Sequence, residues 1–566
     1  MVEPLDMITI TRVYLAVMRL VAPVISGVLL LRCAWPLLSF PREPEIWAWL
    51  IRADGVRLPI THWENLIGRN RRCDVVIPSQ TVSRNHAVLT RYDDGSWTIC
   101  DVNAQNATFV NGEPVVMQEL FEGDILEIGD QELSFLPVSR EQERTMVSLR
   151  ACASGVWRSF LDLFLLTLLQ LFACLGFYLS QPENSMQIVI GFGGVVVLQW
   201  LLLIFNYLIG RPAFEVETLA FLLCSMGMAV ICTVSPDETT KQLVALALGV
   251  GCYLLTGWTM RDLQRAKKIR YAAAIAGMVL LIITMLFGEE YYGAKNWLRI
   301  GSFTIQPSEL TKLCFVYVGA STMDRLLNKR NIILFIAYTV ALCGFLALMN
   351  DFGTAMVFFA AFLIIAYLRS GSFGTVALAC TALGFAGIIG LQIAPHALRR
   401  LTAWRHIWED PLGAGYQQTQ ALMCVASGGL FGLGMAQGKM KHLFAADSDM
   451  VFATISEEWG ILMMVMLIFA IVTFALFALR CAMVSRSSFY TIGSCTAAAI
   501  LLVQTIFNVL GTVDVLPLTG VTFPFVSNGG SSMICVWGML AFIKAADTRR
   551  SGSFAVRMYR RRQKHA

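Results

Sequence analysis

The sequence predicts a polytopic α-helical membrane protein that carries one all-β domain near its N-terminus. Hydrophobic residues fill 56% of the 566 positions and charged residues only 15%, where a soluble chain carries roughly 25% charge. From Leu161 onwards apolar runs recur, each close to the ~20 residues that cross a bilayer core of about 30 Å. Between 46 and 138 the pattern changes: charge rises, and short β-rich runs alternate with turn signals. The net charge of +5 lies in short loops between apolar runs, so it points to no nucleic acid. The 15 cysteines are scattered singly, without a CxxC or Cys/His cluster, and read as small buried apolar residues.

The first segment, 1–45, contains the apolar stretch Val13–Phe40, interrupted by Arg19 and Arg32. It lacks a small-residue cleavage site and is long enough to span, so it reads as a transmembrane helix. Residues 46–138 hold the runs LPITHW, DVVI, AVLTRY, SWTICDV, ATFV, DILEIG and ELSFLP. RYDDGSW and VNGEP are hairpin turns, where Asp-Gly and Asn-Gly supply positive φ. This is a β sandwich. Residues 139–157 are a charged linker, short enough to keep the sandwich at the membrane surface. Two spans follow in 158–214, a longer helical region in 215–548, and a basic tail in 549–566.

The spans fall at about 158–180, 187–209, 216–234, 241–259, 271–288, 308–323, 331–349, 352–368, 374–395, 451–479, 489–513 and 529–546. Short loops rich in Lys and Arg belong in the cytoplasm. The loops 261–270 and 324–330, Arg369, Arg480 with Arg486, and the tail all fall on one side. The β domain and the C-terminus are therefore expected to be cytoplasmic. The loops 289–299, 396–450 and 513–528 are expected outside.

Within the β domain, Gly68-Arg69 is followed by Ser83-Arg84-Asn85-His86 and then by Asn106, Thr108, Asn111 and Gly112. A guanidinium and a hydroxyl on adjacent loops can share a phosphate dianion, and an Asn amide can pair with a peptide backbone. This order of motifs resembles the forkhead-associated (FHA) domain. The resemblance implies that Arg69 and Ser83 hold a phosphothreonine, that Arg84 assists and that Asn106 holds the peptide. His86 and Asn111 are implied to be structural. The implied partner is a phosphothreonine protein in a Ser/Thr kinase pathway.

The helical region has its own chemistry. The loop 396–450 gathers Arg399, Arg400, Arg405, Glu409, Asp410, Lys439, Lys441, His442, Asp447 and Asp449. Cations beside carboxylates at a membrane face suit a lipid-linked phosphate; a solvated plug is the alternative from charge alone. Glu309 and Lys312 lie three apart, on one helix face, behind Pro307 and Ser308. Asp351 opens a span, and Glu457 and Glu458 lie early in another. For Glu309, Lys312 and Glu457 a structural pairing is expected.

The segments KNWLRIGSFTIQPSELTKL, MNDFGTAMVF, WRHIWEDPLGAGYQQTQALM, SGGLFGLGMAQGKMKHLFAADSDMVFATISEEWG and NVLGTVDVLPLTGVTFPFVSNGGSSM follow in this order. They resemble the SEDS family of FtsW, RodA and SpoVE, over about 215–546. The resemblance implies a ten-helix core in the bacterial cytoplasmic membrane that polymerises glycan from lipid II at its outer face. Asp449 falls on the family's essential aspartate, Ser448 on its preceding Thr, and Lys439 on its lysine. Gly415, Tyr416 and Gln417 match its GYQ. Asp447 stands where the family has His, Ala445 where it has Glu, Phe444 where it has Pro, and Asn528 where it has Tyr.

Under this resemblance Asp449 is the general base, and Lys439, Arg399, Arg405, Gln417 and Ser448 bind lipid II and the undecaprenyl-linked glycan. Asp447 and Asp449 can raise one another's pKa or share Mg²⁺ or Mn²⁺, with Asp447 as a metal ligand. A class B penicillin-binding protein is the implied partner. Two other readings remain open. One is a lipid II flippase, for which no internal repeat is seen. The other is a non-catalytic scaffold for cell-wall synthesis, against which the presence of Asp449 argues.

Overall fold

Alternating apolar residues and tight turns build the sandwich. The computed structural model describes all residues except 1–3, 40–43, 72, 93–94, 103, 140, 143–144, 146–154, 292–293, 302, 323–328, 371, 394–397, 399–400, 403, 414, 486, 550–551 and 554–566. Strands β1 (Ala48–Arg52), β2 (Arg57–Ile60), β7 (Thr108–Val110), β8 (Glu113–Val115), β10 (Ile125–Ile128) and β11 (Gln131–Pro137) form one sheet, ordered β2-β1-β11-β10-β7-β8. Strands β3 (Glu64–Gly68), β4 (Val75–Val76), β5 (Ala87–Arg91), β6 (Trp97–Asp101) and β9 (Met117–Leu120) form the other, ordered β4-β3-β5-β6-β9. Leu50, Ile67, Leu89, Ile99, Leu126 and Phe135 are buried between them. Asn111 (φ 53°) and Gly112 (φ 83°) turn β7 into β8, and Val110 faces Glu113 across that two-residue loop.

The membrane part begins with α1 (Pro4–Ser39), which precedes the sandwich. After it come α2 (Val156–Ser180), α3 (Ser185–Leu208), α4 (Glu215–Val234), α5 (Thr239–Met260), α6 (Leu263–Phe287), α7 (Pro307–Thr322), α8 (Lys329–Leu348), α9 (Phe352–Ser370) and α10 (Phe373–Ile393). Then follow α11 (Tyr416–Gly428), α12 (Val451–Trp459), α13 (Ile461–Ala482), α14 (Ser488–Thr512) and α15 (Gly530–Ala545). Among the described residues, ten helices are long and apolar enough to cross a membrane. α4 is buried along its length, so the other helices surround it.

One sequence expectation needs correction, and two loops carry structure of their own. The run 451–479 is two helices, because Gly460 (φ 87°) breaks the chain between α12 and α13. In and after the loop 289–299, Glu289–Tyr291, Ala294–Ile300 and Phe303–Ile305 form an antiparallel three-stranded sheet. The long loop 396–450 contains the helix α11. The loop 324–330, Arg399, Arg400, Arg486 and most of the linker and tail fall wholly or largely outside the described residues.

The turns between the helices sort into two ends of the bundle. At one end Ser235 and Asn528 both bond Asp447, and Asn296 bonds Asp351. At the other, Tyr490 bonds the Met260 carbonyl, Arg549 the Pro36 carbonyl and Arg158 the Arg32 carbonyl. The sandwich lies at this second end, where His62 meets the Ser485 carbonyl. Ion pairs tie the same end together: Lys544 to Glu217 at 2.9 Å, fully buried, and Arg32 to Asp162 at 2.5 Å, partly buried.

Candidate functional site

The end away from the sandwich encloses a cavity of about 2240 Å³, well above the roughly 300–1,000 Å³ of an ordinary small-molecule site. Its walls include Ile336, Val340, Met356, Phe359 and Leu378 from α8 to α10. Its polar rim includes Gln417, Asp447, Ser448 and Asp449. An apolar wall of this extent beside carboxylates suits a long lipid with a polar head.

The acidic loop is held from several sides. Ala445 takes φ 59°, and its carbonyl receives the Ser448 and Met450 amides at 3.2 and 3.0 Å. Asp447 Oδ2 accepts from the Ser235 hydroxyl at 2.7 Å and from Asn528 Nδ2 at 2.9 Å. The Asp447 carbonyl accepts the Asn528 amide at 2.8 Å. Ser527 Oγ donates to the Ser448 carbonyl at 2.6 Å, and Asn508 Nδ2 to the Asp449 carbonyl at 2.9 Å. These bonds fix the backbone on both sides of Asp449 and set its half-buried side chain at the cavity. The two departures at 447 and 528 are therefore one contact: an acid and an amide bonded to each other.

Other residues singled out from sequence lie elsewhere. Lys439 is exposed, and its amide donates to Glu457 Oε1 at 3.0 Å. Met440 donates to Glu457 Oε2 at 2.8 Å, so Glu457 organises the backbone below the loop. Arg405 takes φ 64° and lies over the Trp404 ring at 5.0 Å. Neither Lys439 nor Arg405 lines the cavity, and Arg399 lies outside the described residues. Glu309 and Lys312 form a buried pair at 2.7 Å within α7. Asp351 caps α9 through the Thr354 amide at 3.1 Å and accepts from Asn296 and Gln306, both at 3.3 Å.

Among the described residues, the cations that line the cavity are Lys241 and Arg299. Sequence reasoning passed over both. Arg299 stands in the run KNWLRIGSF, so a signal was present; Lys241 gave none, being one residue in the first turn of α5, paired with Glu238 at 2.6 Å. For a divalent cation, no three His, Cys, Asp or Glu side chains cluster among the described residues. Asp447 and Asp449 fit only the mode in which one or two carboxylates hold the ion together with substrate phosphates.

The second site lies at the loop ends of the sandwich. Arg69, Asn70, Arg71 and Arg84 line a shallow recess of about 410 Å³. The Arg69 amide donates to the Ser83 carbonyl at 3.0 Å and the Asn70 amide to the Arg84 carbonyl at 3.2 Å, which brings the two loops together. Ser83 Oγ accepts the Gln105 amide at 3.0 Å, so its hydroxyl hydrogen stays available to donate. Asn106 Nδ2 donates to the Thr81 carbonyl at 2.8 Å, tying its loop to the same end. Arg71 was not among the residues read from sequence; it adds a third guanidinium.

Two further groups shape this end. His86 is buried and its Nδ1 accepts the Ser83 amide at 3.1 Å; burial pushes its pKa below the ordinary value. Asp101, absent from the sequence reading, accepts from the Ala104 amide at 2.9 Å and from the Thr108 amide and hydroxyl at 3.0 and 2.7 Å. Burial raises the Asp101 pKa, but these bonds outweigh it and hold the carboxyl below its ordinary value. Asn111 bridges to Asp124 and the Ile125 amide, both at 2.9 Å.

The family model described as cell cycle protein, FtsW, RodA and SpoVE, matches residues 213–552. The model of the FHA domain matches residues 65–129. A relative from Tolumonas auensis named "Probable peptidoglycan glycosyltransferase FtsW" is 30% identical over 365 residues, which cover 60% of this chain and 94% of that one. "Peptidoglycan glycosyltransferase RodA" of Mycobacterium tuberculosis is 27% identical over 325 residues, covering 54% and 69%. A solved chain described under "Structural coordination of polymerization and crosslinking by a peptidoglycan synthase complex" is 24% identical with a TM-score of 0.49, covering 58% and 96%.

Proposed function

Because the chain belongs to the FtsW, RodA and SpoVE family of cell cycle proteins, we propose that it is a peptidoglycan glycosyltransferase that polymerises lipid II at the outer face of the cytoplasmic membrane. The FHA domain, on the cytoplasmic side, reads phosphothreonine on a partner and brings the enzyme to it. The observation that carries the catalytic half is Asp449, held by backbone bonds on both sides at the rim of a large apolar cavity. The opposite ends of the bundle taken by the cavity and the sandwich support the two-sided assignment.

Asp449 takes the proton from the attacking sugar 4-hydroxyl. The apolar wall holds the undecaprenyl chain and keeps water from the reacting groups. Lys241 and Arg299 balance charge on the departing pyrophosphate. Asp447 positions Asp449 by locking its loop to Ser235 and Asn528. Mg²⁺ or Mn²⁺, if held by these carboxylates and the substrate phosphates, supplies further charge to the leaving group. The product strand passes to a class B penicillin-binding protein, which cross-links it. At the other site the three guanidinium groups and the Ser83 hydroxyl take the phosphate dianion.

The test is purified full-length chain with labelled lipid II, with and without a class B penicillin-binding protein, read as glycan polymer on a gel. Polymer from the wild type and none from Asp449→Asn supports the reading. No polymer from the wild type under either condition sinks it.

A further inference from the structure

We infer that the FHA domain is seated on the helical bundle in one orientation, with its phosphate recess turned away from the membrane, and so takes phosphothreonine only on segments that stand clear of the bilayer. The seat is the turn between α13 and α14. There His62 Nδ1 lies 2.8 Å from the carbonyl oxygen of Ser485, a residue only 2% exposed. Trp63 packs against both the core of the sandwich and the core of the bundle. Trp63 is itself held, edge-on to Trp47 at 5.9 Å and with the Arg91 guanidinium over both rings at 4.4 and 5.4 Å. The Arg91 amide also donates to the Trp63 carbonyl at 2.6 Å.

Both chain connections of the sandwich also lead to this end of the bundle. The chain enters the sandwich from α1 and leaves it into α2, and these helices are clamped by the Arg32–Asp162 pair and by Arg158 on the Arg32 carbonyl. α1 also lies along α13, where Gly27 sits against Met466. The direction of the recess follows from β3. Trp63 immediately precedes this strand and Arg69 immediately follows it. The five residues of β3 rise about 16 Å, so seat and recess are at opposite ends of the sandwich.

A membrane-anchored partner must therefore carry its phosphothreonine at least about five residues from the bilayer, since an extended chain gains at most ~3.3–3.6 Å per residue. This takes the phosphothreonine reading as its premise for the ligand, whereas the seat stands on its own contacts. Two measurements on the full chain in proteoliposomes separate them. In a Cys380→Ser background, a short bismaleimide should join His62→Cys to Met483→Cys, two residues from Ser485 and 81% exposed, and should not join Arg71→Cys to Met483→Cys. Links in both pairs, in neither, or only in the second overturn the seat. A phosphothreonine peptide anchored to lipid through a spacer of 12 residues should bind as tightly as the same peptide free in solution. With a spacer of two residues it should bind at least tenfold more weakly, and His62→Ala should narrow that gap. Equal binding with both spacers overturns the orientation. A free peptide that fails to bind tells against the phosphothreonine reading alone, because the cross-link still decides the seat.

Discussion

Asp447 and Asp449 are two positions apart and differ in what holds them. Asp449 is fixed through its backbone, whereas the side chain of Asp447 is itself the fixing element. Asp449→Asn should therefore lower polymerisation by about 10²–10⁴-fold, the usual value of a general base, with lipid II binding retained. Asp447→Asn keeps an oxygen for Ser235 and Asn528 and should cost much less than Asp447→Ala. A dead Asp447→Asn beside an active Asp449→Asn would reverse the two roles. In the recess, Arg69→Ala and Ser83→Ala should each weaken phosphopeptide binding by roughly 10- to 100-fold, as loss of a charge-assisted hydrogen bond does. His86 adds a pH dependence. Its unfolded imidazole protonates near 6.5, and burial holds the folded one lower. Between those values the unfolded chain binds more protons, so the stabilisation is complete above about pH 6.5 and declines as the pH falls. Protonation of Nδ1 also breaks the bond from the Ser83 amide. Hydrogen exchange at Ser83, corrected for the intrinsic rate, should keep its protection at about pH 6.5, the unfolded value, and lose it only as the pH falls further.

At the scale of elements, two close approaches explain glycines that the motifs carry. A Cβ at Gly68 would lie 2.4 Å from the Arg84 carbonyl oxygen, so a side chain there pushes apart the two loops of the phosphate recess. Gly68→Ala should abolish phosphopeptide binding while the sandwich still folds, read by titration and by circular dichroism. Behind the acidic loop, a Cβ at Gly432 would lie 2.2 Å from the Glu458 carbonyl, and one at Gly460 2.3 Å from the Leu430 carbonyl. Both residues also take positive φ, which a side chain resists. This interlock breaks the apolar run 451–479 into α12 and α13. Hydropathy reads that run as one span because Gly460 changes its apolar content little. Strands show the same limit. β1 was not read as a strand, since the WAWLIR stretch continues the apolar segment before it and shows no clean alternation.

For the whole molecule, the sandwich end of the bundle is held by charges that water cannot reach. Lys544 meets Glu217 and the Ala213 carbonyl, and the Tyr253 hydroxyl donates to the same carboxylate at 2.5 Å. Lys544→Met strands a buried carboxylate and should destabilise the chain by about 3–5 kcal/mol. The double change Lys544→Met with Glu217→Leu should recover most of the loss. Thermal unfolding of the detergent-solubilised protein checks both.

What the sequence by itself determined is what depends on neighbouring residues. Apolar runs placed most of the helices, Asn-Gly placed the turn after β7, and the ordered motifs marked Arg69, Ser83, Asp447 and Asp449, because hydropathy and turn chemistry are local properties of the chain. The tertiary structure decided what lies between distant segments. It joined Asp447 to Asn528 and to Ser235, 81 and 212 positions away. It brought Lys241 and Arg299 to the cavity in place of Lys439 and Arg405, and it set His62 on Ser485, 423 positions on. Such contacts follow from how the helices pack and which turns share an end of the bundle, and no window of the sequence contains both partners.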